Sequence, residues 1–173
     1  KKEMDRRDSR GTKTRVMVTD GERALQYRVC AAMKGTPLIL DFLHVLEKLW
    51  ACAHVFHKEG SGHAIEFVRE RALRILRGEV GQVVKGLRQM ATKRKVKGKK
   101  RKTLLNTAAY YYRNRLRMHY NRYLAEGLPI ASGSVEGACK NLIKDRMERS
   151  GMRWTPPTAE AMVKMRAVYL SQD

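Results

Sequence analysis

Cysteine is scarce in this sequence, and its spacing is uninformative for redox or metal chemistry. The three cysteines, Cys30, Cys52 and Cys139, are widely separated and form no Cys-x-x-Cys pair. That pattern argues against a disulfide framework and against a cysteine-based zinc site, and leaves reduced core thiols as the expectation. No apolar run approaches the ~20 residues that span a bilayer. The charged stretch from Lys1 to Arg10 leads into no signal-peptide core. No internal repeat and no domain-dividing linker is visible. Acidic residues are also few: 17 Asp and Glu stand against 37 Lys and Arg, a formal net charge of +20 over 173 residues. Such an imbalance favours a polyanionic partner, nucleic acid before an anionic membrane. A cytoplasmic location follows as the expectation.

What is present reads as α/β and mostly helical. Residues 15–19 (Arg-Val-Met-Val-Thr) are short and β-branched, and Asp20-Gly21 closes them as a strand end. Residues 22–33 suit a helix that stops before Gly35 and Pro37. Leu38-Ile39-Leu40 reads as a second strand, ended by Asp41. Strand, helix and strand in so short a span predict a parallel βαβ unit. Ligands of open α/β sheets bind outside the carboxyl ends of strands, so Asp20 and Asp41 are candidates to face a site. From Phe42 onward the apolar residues recur at helical spacing. Breaks are expected at Gly60-Ser61-Gly62, Gly78 and Gly127-Leu128-Pro129. Helices are expected at about 103–125, from Ser134 to about Glu148, and at 157–170 with Met162, Met165 and Leu170 on the buried side.

Four constellations could carry chemistry. Asp20, at a strand end, and Glu136, in the first turn of a helix, could converge on Mg²⁺ for two-metal phosphoryl transfer. The plain alternatives are a turn residue and a helix-dipole partner. His44 either supports metal carboxylates or DNA, or caps its helix. His54, His57 and His63 lack the ligands that would complete a zinc site. The fourth is basic. Lys93, Arg94, Lys95, Lys97, Lys99, Lys100, Arg101 and Lys102 fill eight of ten positions in a run that reads as a solvated loop or a flexible phosphate-binding arm. Lys140, Lys144, Arg146 and Arg153 follow Glu136 and could hold substrate phosphates. Glu136, Lys140 and Lys144 fit equally a salt-bridge ladder on one helix face. The basic helix 110–123 adds Arg113, Arg115, Arg117 and Arg122, interleaved with tyrosines.

These motifs occur as an ordered set: Val-Thr-Asp-Gly-Glu-Arg-Ala-Leu (18–25), Leu-Asp-Phe-Leu-His-Val-Leu-Glu-Lys-Leu-Trp (40–50), Gly-Leu-Pro-Ile-Ala-Ser-Gly-Ser-Val-Glu-Gly-Ala-Cys-Lys (127–140) and Lys-Asp-Arg-Met-Glu-Arg-Ser-Gly-Met-Arg-Trp (144–154). The set resembles bacterial insertion-sequence transposases of the Kra group, relatives of the Mutator-like DDE transposases. The resemblance implies a partial RNase H-like core: a βαβ part at 15–44, an all-α insertion at 45–130 and core helices at 131–173. It makes Asp20 the second catalytic aspartate and Glu136 the final glutamate, holding two Mg²⁺ or Mn²⁺ ions. Asp41 and His44 match the family's (Cys or Asp)-x-x-His element. The implied activity is DNA strand cleavage and strand transfer, with transposon ends and target DNA as partners. The family's first aspartate has no counterpart here, since Asp5 and Asp8 lie in no strand. The expectation is therefore a catalytically incomplete chain that self-associates or pairs with an N-terminal partner segment. Two other readings stand beside it: a non-enzymatic basic helical DNA-binding module, and an RNA-binding protein.

Overall fold

The computed structural model describes residues 2–133, 137 and 153–171. The chain forms two compact units, Lys1–Ala131 and Ser132–Asp173. The first unit is mostly helical, with one sheet of two parallel strands, β1 (Met17–Thr19) and β2 (Leu38–Leu40). A short charged helix, α1 (Lys2–Arg7), precedes them. Asp8 then accepts from the Thr12 and Lys13 amides, and Arg15 pairs with both Asp5 and Asp8. Those two aspartates are therefore engaged in fastening the lead-in to β1.

The βαβ unit forms as its pattern predicts. Met17, Val18 and Thr19 pair with Leu38, Ile39 and Leu40. Helix α2 (Arg23–Ala32) makes the crossover, and the Glu22 side chain caps it by accepting from the Ala24 and Leu25 amides. This helix buries only Gln26, whose amide donates to Asn114 at 3.3 Å. Cys30 on the same helix is exposed, against the expectation of a core thiol, while Cys52 is buried.

Helices α3 (Phe42–Ala53), α4 (Gly62–Leu76), α5 (Val80–Lys93) and α6 (Gly98–Asn114) build the rest of the unit. On α5, Val80, Val83, Val84, Leu87 and Ala91 are buried, a 3–4 residue spacing that lays one stripe on the core. Ile39, Leu40, Val45, Leu49, Ile75, Leu104 and Tyr111 continue that core without exposure. The helix expected at 103–125 is instead divided. It begins at Gly98 and ends at Asn114, a 3₁₀ turn covers Arg115–Arg117, and α7 runs Tyr120–Ala125. The break lets Met118 and Tyr120 both reach the core. In doing so it leaves Leu116 exposed, although helical periodicity assigns it inward.

The basic run is not a loop throughout. Lys93 ends α5, Arg94 caps it, Lys95 takes a left-handed φ of 48°, and Lys99 to Lys102 form the first turns of α6. Val96 packs against the core beneath this corner. Lys and Arg have good helix propensity, so an exposed N-terminal turn accommodates them despite the adverse dipole.

The second unit contains α8 (Pro156–Ser171), opened by hydrogen bonds between Thr155 and Thr158. Met165 on α8 is exposed, against the expectation of a buried face. Among the described residues no helix is long and apolar enough to cross a membrane.

Candidate functional site at the strand ends

Parallel pairing sets Asp20 and Asp41 side by side. Thr19 pairs with Leu40, and the Asp41 amide donates to the Thr19 carbonyl at 2.8 Å, extending the ladder past both strand ends. Neighbouring strands lie ~4.8 Å apart, so the two aspartate backbones are adjacent. Their side chains differ in role. Asp20 is exposed, and its Oδ1 accepts from the Glu22 amide at 2.9 Å, closing the turn into α2. Asp41 is 2% exposed and is the N-cap of α3, its Oδ1 accepting from the Leu43 amide at 2.9 Å.

His44 lies one helical turn beyond Asp41. Its Nδ1 is 2.9 Å from Glu47 Oε2, and that hydrogen bond raises its pKa above the ordinary histidine value. Burial opposes the shift, while the charges of Glu47, Asp41 and Asp20 reinforce it. His44 therefore feels both strand-end carboxylates.

Tyr110, from α6, completes the cluster. Its hydroxyl donates to the Asp20 carbonyl across 90 positions of sequence. Burial pushes its phenol up to about 12, Asp20, Asp41 and Glu47 add to the shift, and Arg113 opposes it. Gly21 makes this approach feasible: it takes φ +87°, and a Cβ there would stand 2.7 Å from the Tyr110 hydroxyl and 2.9 Å from Leu40 Cδ1. Lys48 Nζ lies 5.0 Å and the Arg113 guanidinium carbon 5.6 Å from the centre of the same ring.

Asp20, Asp41 and His44 are thus brought together. Glu136, Lys140, Lys144, Arg146 and Cys139 lie outside the described residues. Arg153 is exposed in the second unit. Of the basic run, Arg94 stacks at 4.7 Å on the Phe56 ring, and the others are exposed. His57 and His63 rings stand 5.9 Å apart, but among the described residues no three His, Cys, Asp or Glu side chains form a metal-holding group. Tyr110, Glu47 and Lys48 went unmarked as site residues at the sequence level, since only tertiary packing brings α6 to the strand ends. Comparison with protein-family models, curated proteins and solved structures gives no match for this chain.

Proposed function

We propose that this chain is part of the catalytic domain of a DDE-type DNA transposase with an RNase H-like core, acting on DNA by phosphoryl transfer. The observation that carries the reading is the pairing of β1 with β2, which sets Asp20 and Asp41 together at the carboxyl ends of parallel strands. Asp20 suits a metal ligand: it is exposed, and only its Oδ1 is used in the turn. Asp41 suits a supporting role, because its carboxylate caps α3 and is buried. Mg²⁺ or Mn²⁺, two ions in the complete enzyme, would be held by Asp20 and Glu136 and would supply activation of water or a 3′-hydroxyl and stabilisation of the leaving oxygen.

The net charge of +20 and the basic corner between α5 and α6 support DNA as partner. Fe²⁺ substituted for Mg²⁺, with ascorbate and peroxide, tests the metal site by cutting the backbone near its ligands. Cuts near residues 20 and 136 that vanish in Asp20→Ala support the reading. Uniform or absent cutting, with DNA binding retained, leaves a non-enzymatic basic binding module as the better account. Tighter binding to structured RNA than to DNA at equal salt would favour the RNA-binding reading instead.

A further inference from the structure

A groove of about 500 Å³ opens between α3 and α6, with Tyr110 in its lining. Lys48, Thr103, Asn106, Tyr110 and Arg113 line it, with small residues such as Ala51 leaving room at its wall. Its volume is that of a site for one small organic ligand, far too small to admit a duplex. Lys48 and Arg113 flank one tyrosine ring, at 5.0 and 5.6 Å from its centre. Neither makes an ion pair with another described residue. Glu47 also borders the groove, and its carboxylate lies 2.9 Å from His44 Nδ1.

We propose that this groove holds one nucleotide of an unpaired DNA strand, its phosphate held by Lys48 and Arg113. The assignment rests on the reading that the chain handles DNA. Two cations lining one groove suit a phosphodiester, and a Tyr110 ring fixed by its hydrogen bond to the Asp20 carbonyl offers a sequence-tolerant surface to a sugar or base. The tether ties one wall of the groove to the Asp20 backbone. The basic corner, by contrast, serves single strand and duplex alike.

Fluorescence anisotropy with a mixed-sequence single strand and with its duplex, over a salt series, tests the assignment. The double variant Lys48→Gln/Arg113→Gln is expected to lose about tenfold or more in single-strand affinity and to flatten the salt slope by about 1, with a smaller loss on duplex. Lys99→Gln/Arg101→Gln in the basic corner is expected to weaken both to a similar degree. The charge-conserving pair Lys48→Arg and Arg113→Lys should restore most of the affinity, and matched thermal melts separate loss of contact from loss of fold. Wild-type binding with no selective effect of the groove variants overturns the subsite and leaves DNA handling intact. Displacement of the strand by an equivalent of a deoxynucleoside monophosphate would reassign the groove to a free nucleotide. No wild-type binding to either DNA overturns both.

Discussion

Gly21→Ala is the sharpest test of the strand-end packing. The substitution has two costs that the structure separates. Gly21 sits at φ +87°, where an L side chain costs ~1–2 kcal/mol. The new methyl would also stand 2.7 Å from Tyr110 Oη, 2.9 Å from Leu40 Cδ1 and 3.0 Å from Tyr110 Cε2. Tyr110 is a stiff ring held by its hydrogen bond to Asp20, and Leu40 is fully buried, so neither yields cheaply. Overpacking of this kind costs ~1–3 kcal/mol, which brings the total to ~2–5 kcal/mol. Gly35→Ala is the internal control. Its φ is +80°, and nothing lies within 4 Å of its added Cβ, so only the backbone cost of ~1–2 kcal/mol applies. Urea unfolding followed by circular dichroism gives both losses on one scale. The expected outcome is a clearly larger fall in midpoint for Gly21→Ala, with Tyr110→Phe restoring part of the difference by removing the nearest atom. Equal losses at Gly21 and Gly35 would refute close packing of Tyr110 on the Asp20-Gly21 turn.

Three further outcomes are expected. Thr19→Val should stabilise the chain by about 1 kcal/mol in the same unfolding assay, because the buried Thr19 hydroxyl has no hydrogen-bond partner among the described residues and valine suits a strand. Alkaline pH should unfold the protein steeply. Burial raises the Tyr111 and Tyr120 phenols above the ordinary 10, so their stabilisation is whole below pH 10 and is lost as pH climbs toward their folded values. Two fully buried groups together remove ~2.7 kcal/mol per pH unit above 10, which melts recorded at successive pH values would register. His44 should titrate above 6.5 by NMR, and Glu47→Gln should lower it, since the Glu47 hydrogen bond is the leading cause of the rise. Because the folded pKa is the raised one, the contribution is complete below pH 6.5 and disappears as pH rises through the His44 value.

The parts legible in sequence are those governed by neighbours along the chain. Strands 17–19 and 38–40, the helix between them and the glycine breaks at 60–62 and 78 follow from local periodicity and turn chemistry. The two strand-end aspartates follow from the same pattern. Interactions between distant residues are not legible. Nothing in residues 110–123 distinguishes the tyrosine that reaches Asp20 from Tyr112, which is about half exposed. The division of the long helix after Asn114 has no glycine or proline to announce it. Asn114 is fully buried, and its side chain joins the Tyr110 carbonyl, Gln26 and Arg117, a demand visible only once α2 packs on α6. The basic run looks like a solvated loop because charge hides the single anchor, Val96.

Two strands of three residues each cannot stabilise a sheet by themselves. The carboxylates at their ends therefore owe their placement to the helices, and three tyrosine hydroxyls supply it. Tyr120 donates to the Leu40 carbonyl at 2.8 Å, Tyr111 to the Val45 carbonyl at 2.7 Å, and Tyr110 to the Asp20 carbonyl. Tyr120 and Tyr110 grip backbone oxygens at or just beyond a strand end, Tyr111 grips one inside α3, and Tyr120 also meets the Phe42 ring edge-on at 5.2 Å. The helical part and the βαβ part are consequently one mechanical piece around the site. A disturbance anywhere along 110–120 reaches the Asp20-Asp41 edge through these bonds. Even the conservative Tyr110→Phe, which removes one hydroxyl and no carbon, should loosen the Asp20 turn while leaving the β1–β2 ladder in place.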